Sequence, residues 1–233
     1  MKLSGIRRRT GEHMVRSLAE SPHAWITYEI DYDEVGRIRD ELRPSWRARY
    51  GWSLTYLPFI CFAVCRALER FPEVNSRLVD NELDLYDHVG LGIAVDLGAR
   101  GLVVPVIHDA HQMDVTSLAL AIRDLSERAR SRRLIERDLE GGTYTVSNPG
   151  PMGTRSSSPI INQPQAAILA VDGIERRPVV RHPGDADESV GIGLRGLVTQ
   201  AFDHRVFDGA YCANYLRELA HLIRMTSWRD CIQ

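Results

Sequence analysis

Of the 233 residues, 44% are apolar and 26% charged, the balance of a globular protein with ample material for a core. A formal net charge of −2 carries no signature of nucleic-acid or membrane-surface binding. No apolar run approaches the roughly 20 residues that span a bilayer, and no secretory leader opens the sequence.

Residues 4–20 read as an amphipathic helix, with Ser4 as its N-cap and Ile6, Met14, Val15 and Leu18 on the apolar side. Ala24 to Asp31 alternates in the manner of a strand. A polar helix is expected from about Asp33 to Arg49, then the most apolar helix, Leu57 to Arg70, which Pro72 ends and which should pack across a sheet. Short strands follow at Arg77–Val79, Leu83–Tyr86, Val89–Val95 and Leu102–Ile107, the first two joined by an Asp80-Asn81 turn.

Asp114 to Arg130 holds Val115, Leu118, Ala119, Ile122 and Leu125 in helical phase. Arg128, Arg130, Arg132 and Arg133 cluster at its end, where they suit the helix dipole and are also candidates to contact a phosphate or a carrier protein. A strand through Val146 leads into the turn-rich loop Asn148–Gly153. Ala166–Val171 and Gly191–Phe202 read as buried strands with an exposed polar hairpin at 182–188 between them. A last helix occupies about 209–225. Helices and strands interleave without a strict βαβ rhythm, which predicts a mixed sheet covered by helices on one face.

His204 lies in the run Asp203-His204-Arg205-Val206-Phe207-Asp208-Gly209, directly after the apolar stretch Val198–Phe202. An imidazole at a strand end, ahead of a glycine that lets a substrate approach the backbone, is placed for general-base work. The competing reading is a core histidine satisfied by Asp208. His108 and His111 have no third histidine nearby and read as loop residues rather than metal ligands. Cys61, Cys65, Cys212 and Cys231 lack disulfide or zinc spacing. Reduced thiols, no metal and a cytoplasmic location are therefore expected.

Around these residues the sequence resembles one family. The stretches Gly141–Asn148, Pro159–Val179 and Phe202–Arg205, with Leu3–Arg9, His13–Ser17, Leu54–Phe59 and Gly101–Ile107, are similar and collinear to the catalytic domain of the dihydrolipoamide acyltransferase subunit of 2-oxoacid dehydrogenase complexes. The resemblance covers Leu3 to about Ile223. It implies a chloramphenicol-acetyltransferase-like α/β fold of two layers, one acyltransferase domain over residues 1–233, and a homotrimer with active sites between subunits. The activity it implies is acyl transfer between the dihydrolipoyl thiol of a partner and coenzyme A. Such chemistry needs a base, because only the thiolate is a good nucleophile, and a donor for the oxyanion formed on the thioester. By resemblance these are His204 and Ser147, with Asp208 supporting the loop around the histidine and Arg205 paired within the protein. For Ser147, a strand-end hydroxyl capping the Asn148-Pro149 turn is the competing role.

Lys2 is the only lysine and stands in no lipoyl-type domain, so the lipoyl group is expected in trans from a lipoyl-bearing protein, served by a 2-oxoacid decarboxylase component. Two alternatives stay open: an acyltransferase delivering to the phosphopantetheine thiol of an acyl carrier protein, and a catalytically idle scaffold subunit. The retained His204, Ser147 and Asp208 oppose the second. The tail Met225–Gln233 departs from the family's usual ending, which leaves assembly beyond the trimer open.

Overall fold

The computed structural model describes residues 5–98, 101–185 and 187–232. Ser4, the expected cap of the first helix, lies outside them. In chain order the elements are α1 (Gly5–Glu20), β1 (His23–Asp31), α2 (Asp33–Tyr50), α3 (Leu57–Arg70), β2 (Ser76–Val79), β3 (Glu82–Leu85), β4 (Leu91–Ile93), β5 (Val95–Asp96), β6 (Leu102–Val103), β7 (Val106–Ile107), α4 (Val115–Arg130), β8 (Tyr144–Ser147), β9 (Ala167–Val171), β10 (Glu175–Arg181), β11 (Ser189–Asp203) and α5 (Gly209–Met225).

A seven-stranded sheet runs β1-β11-β9-β8-β4-β7, with β10 paired to the first half of β11. It is mixed: β8 is parallel to β4 and β9, and the other pairs are antiparallel. The long β11 organises it, since β1 flanks its whole second half while β10 and β9 divide its other edge. The strand alternation assigns the two faces. Tyr144 turns toward the helices, where its ring meets Tyr215 of α5 edge-on at 6.3 Å and its hydroxyl donates to Gln200 Oε1 at 2.8 Å. Thr145 turns the other way and donates to Gln165 Oε1 at 2.7 Å. Ser147 shares the parity of Thr145. That second face is crossed by the segment leading to β9, whose Ile161 packs with Ile168 and Ala201.

The apolar helix α3 is buried along most of its length and packs between α4 and α5. Asp114 caps α4 by accepting from Ser117 N at 2.6 Å, and Asp80 and Asn81 take φ of +48° and +64° in the β2–β3 turn, the conformation such hairpin turns require. Trp228, in a short 3₁₀ turn after α5, is 1% exposed. Its ring lies edge-on to Phe59 and Phe62 at 5.3 and 5.9 Å, and Nε1 donates to Ile223 O.

Three expectations need correction. The strands expected at Val89–Val95 and Leu102–Ile107 are each divided, into β4 and β5 and into β6 and β7. Pro105, with no N–H for a ladder, interrupts the second, and the Ala94 N–H bonds to Val146 O between β4 and β5. Strand β10 was not anticipated, because Pro178 in its middle argues against a strand; pairing with β11 accommodates it at Ile192. The apolar stripe of α1 is not buried: Val15 and Leu18 are 70% and 50% exposed. Instead α1 is held by a polar seam, with Ser17 Oγ donating to Ile161 O at 2.7 Å and His13 Nε2 3.2 Å from Asn162 Oδ1.

Candidate active site

His204 occupies the tight turn that follows β11. Its backbone N–H donates to Pro22 O at 3.1 Å, its ring lies 5.6 Å from that of Phe202, and the side chain is exposed with no hydrogen-bond partner among the described residues. The competing reading, a core histidine satisfied by Asp208, is therefore not what the structure holds. Beneath the turn, Asp203 is 3% exposed. Its carboxylate accepts from Ser21 Oγ (2.7 Å), Arg205 N (2.9 Å) and the Arg205 guanidinium (Nη2, 2.6 Å). Gln163 Nε2 donates in turn to Ser21 Oγ at 2.7 Å, and Phe207 stacks on Phe202 at 4.9 Å. The turn is thus fixed from below while the imidazole above it stays exposed. Arg205 does pair within the protein, as expected from the sequence. The involvement of Ser21 and Gln163, so distant in the chain, had no sequence signal.

Asp208 is the N-cap of α5, its Oδ1 accepting from Tyr211 N at 2.9 Å. It anchors the far end of the loop that begins at His204 and makes no hydrogen bond or ion pair with the imidazole among the described residues.

Ser147 is the last residue of β8. Its hydroxyl has no hydrogen-bond partner among the described residues, so it does not cap the Asn148-Pro149 turn. It opens onto a cavity of about 480 Å³ between the β5–β6 hairpin, α4 and the loop after β8. The walls are mostly apolar (Leu57, Ile93, Val95, Leu102, Met152), with Asp96, Ser126, Arg130 and Asn148 as the polar elements beside Ser147. A second cavity, of about 400 Å³, shares Leu57, Asn148 and Pro151 with the first and is bounded by α2, α3 and the end of β9.

Within one chain the imidazole and the hydroxyl do not meet. Ser147 is level with Ala170 on β9, and Ala170 with Thr199 on β11. From Thr199 the strand continues four residues to Asp203, about 13 Å along the sheet at the usual rise of about 3.3 Å. Two strand spacings of about 4.8 Å separate them sideways as well. His204 and Ser147 thus stand at opposite ends of the sheet, far beyond hydrogen-bond reach.

The remaining candidates have local explanations. Arg128 is committed to Asp124 and, through both carboxylate oxygens, to Asp138, so it is not available to a phosphate. His108 Nε2 lies 3.0 Å from Arg137 O, and His111 Nδ1 accepts from Val89 N. No group of three His, Cys, Asp or Glu side chains among the described residues converges to hold a metal. Burial pushes the Cys65 and Cys212 thiols up to about 12, and Cys61 well above its ordinary value.

Residues 1–228 match the family model of the 2-oxoacid dehydrogenases acyltransferase (catalytic domain). The dihydrolipoyllysine-residue acetyltransferase component of the pyruvate dehydrogenase complex of Corynebacterium glutamicum is 36% identical over all of this chain and 34% of its own length. The lipoamide acyltransferase component of the branched-chain alpha-keto acid dehydrogenase complex of Bacillus subtilis is 34% identical over 95% and 51%. The chain thus spans between a third and a half of these relatives. The crystal structure of a probable dihydrolipoamide acetyltransferase from Listeria monocytogenes superposes with a TM-score of 0.90 at 32% identity, covering 98% of this chain and 97% of that one. The dihydrolipoamide acetyltransferase of Azotobacter vinelandii also gives 0.90, at 28% identity and over 97% and 90%. In that enzyme the catalytic mechanism has been investigated at a serine, a histidine and an asparagine four residues beyond the histidine. Chloramphenicol acetyltransferase shares the fold, with a TM-score of 0.56 at 13% identity over 96% of this chain and 99% of its own. By family model, relatives and fold together, the chain belongs to the catalytic-domain family of the 2-oxoacid dehydrogenase acyltransferases.

Proposed function

We propose that the protein transfers an acyl group between a dihydrolipoyl thiol and coenzyme A, with His204 of one protomer and Ser147 of another forming each site of a homotrimer. The observation that carries this reading is the pair of unpartnered groups at opposite ends of one sheet. An exposed imidazole lies on a braced turn, and a free hydroxyl opens onto a mostly apolar cleft. Neither is explained by the packing of its own chain, and only association of copies brings the two ends together. A ring of three closes such a head-to-tail contact.

In the reaction His204 removes the proton from the attacking thiol, and the thiolate adds to the thioester carbonyl carbon, forming a new C–S bond. The carbonyl oxygen becomes an oxyanion that accepts a hydrogen bond from Ser147 Oγ. Collapse breaks the original C–S bond, and the leaving sulfur takes the proton back from His204. Asp203, Ser21 and Arg205 hold the turn, and Asp208, as many residues beyond His204 as the investigated asparagine lies beyond the histidine of the Azotobacter enzyme, fixes the start of α5. The mostly apolar cleft beside Ser147 suits an extended, uncharged thiol arm. Lys2 being the only lysine, the lipoyl arm is carried outside these 233 residues, by a component of a 2-oxoacid dehydrogenase complex.

Subunit mixing tests the reading. His204→Ala and Ser147→Ala proteins, each nearly inactive in acetyl transfer from acetyl-coenzyme A to dihydrolipoamide, are combined under conditions of confirmed exchange. Random trimers should recover about a quarter of wild-type activity, because one interface in four pairs two intact residues. No recovery, or a wild-type protein that is monomeric and fully active, overturns the shared site.

A further inference from the structure

The Asp172 carboxylate lies directly beyond β9, is 1% exposed, and has no ion pair among the described residues. A buried carboxylate without a cation costs folding free energy unless hydrogen bonds compensate it. Here both oxygens are taken by one residue of the loop after Ser147: Ser157 Oγ donates to Oδ1 at 2.6 Å and Ser157 N to Oδ2 at 3.1 Å. The neighbouring Gly173 N–H holds the same loop midway, donating to Thr154 O at 2.8 Å. Near the start of the loop, a Cβ on Gly150 would stand 2.6 Å from Asp172 O, so the chain leaving Ser147 passes against the end of β9 too closely for any side chain. Two adjacent residues of β9's end therefore grip the segment 150–157 at its beginning, middle and end.

We propose that Asp172 is a positioning residue for the acyl transfer: by gripping this segment through Ser157 it fixes the direction in which the Ser147 hydroxyl enters its cavity. This rests on the role given to Ser147 above. The Ser147 hydroxyl has no partner of its own to hold it, and its strand neighbour Ala170 is two residues from Asp172. An apolar side chain would close the strand end at lower cost but would not clasp an N–H and an O–H of one residue together. A donor must be aimed at the developing oxyanion within a fraction of an ångström, and a grip on the chain leaving the donor supplies that aim.

The test compares Asp172→Ala, Asp172→Asn and Ser157→Ala, each alone and with Ser147→Ala, by kcat, KM and thermal midpoint. Asp172→Ala should lower kcat on the order of 10-fold to 10²-fold with little change in KM. Asp172→Asn keeps an oxygen to accept the Ser157 hydroxyl but not one for its N–H, and should fall between Asp172→Ala and wild type while remaining folded. In the Ser147→Ala background, Asp172→Asn and Ser157→Ala should cost almost nothing more, since both act through the missing hydroxyl. Equal fold-losses in the two backgrounds would overturn the inference, as would a folded Asp172→Asn or Ser157→Ala with wild-type kcat. If Ser147→Ala alone leaves kcat intact, it is the oxyanion role of Ser147 that fails, and the single variant reports that separately.

Discussion

Burial by itself would raise the Asp203 carboxyl, but hydrogen bonds from Arg205 and Ser21, with the Arg205 charge, outweigh it and hold the group below the usual carboxylate range. A carboxyl depressed on folding contributes its full stability above the unfolded value, about 3.9, and loses it as pH falls through the folded value. Asp203→Asn should therefore lower Tm by a constant amount above about pH 5, with the difference shrinking below about pH 4. A difference that stays the same at every pH would remove the ion pair from the account. At the chemistry itself, His204→Ala should lower kcat by about 10² to 10⁴ with the fold intact, and Ser147→Ala by about 10² to 10³ with KM nearly unchanged; steady-state kinetics against both thiols decide. His204 was legible because it closes a recognisable local pattern, a strand followed by a turn, whereas Ser147 was singled out only by the family resemblance. The surroundings that make them useful were not legible. Ser21 reaches Asp203, Gln163 reaches Ser21, and Ser157 reaches Asp172, across sequence separations that no local pattern encodes.

Helices α3 and α4 were legible almost to the residue because an apolar face in 3.6-residue phase agrees with a following proline, Pro72, in the first and with a capping aspartate, Asp114, in the second. Strand β10 and the divisions around Ala94 and Val104-Pro105 were not, since there a ladder partner rather than local propensity decides the outcome. The same holds for α1, whose apolar residues suggested burial but whose attachment is the polar seam through Ser17. Ser17→Ala would leave Ile161 O without its buried donor, at a cost of about 1–3 kcal/mol. It should speed tryptic cleavage at Arg7, Arg8 and Arg9, while cleavage elsewhere stays unchanged. At the other terminus, Trp228 closes the core over Phe59 and Phe62. Trp228→Ala should cost about 3–5 kcal/mol in urea unfolding, and a loss under 1 kcal/mol would mean that the tail is dispensable to the core.

For the molecule as a whole, the thiols give a check on packing. Cys61, Cys65 and Cys212 are buried with raised values, and Cys231 is half-buried. A thiol reagent near pH 8 should modify at most one cysteine per native chain, and all four only after unfolding. The sheet has a further consequence in time. Strand β1 pairs with β11 from His23↔Asp203 to Asp31↔Arg195, so β1 must wait for a partner made more than 160 residues later. At 5–20 residues per second the intervening chain takes on the order of 10 to 30 s to make. Throughout that interval β1 presents an open edge on the ribosome, the state in which strands mispair. Ribosome-bound chains halted before residue 189 should leave β1 open to proteolysis and bind holding chaperones, and chains released after residue 203 should do neither. Synthesis itself, more than the finished fold, is then the stage at which this protein is exposed to aggregation.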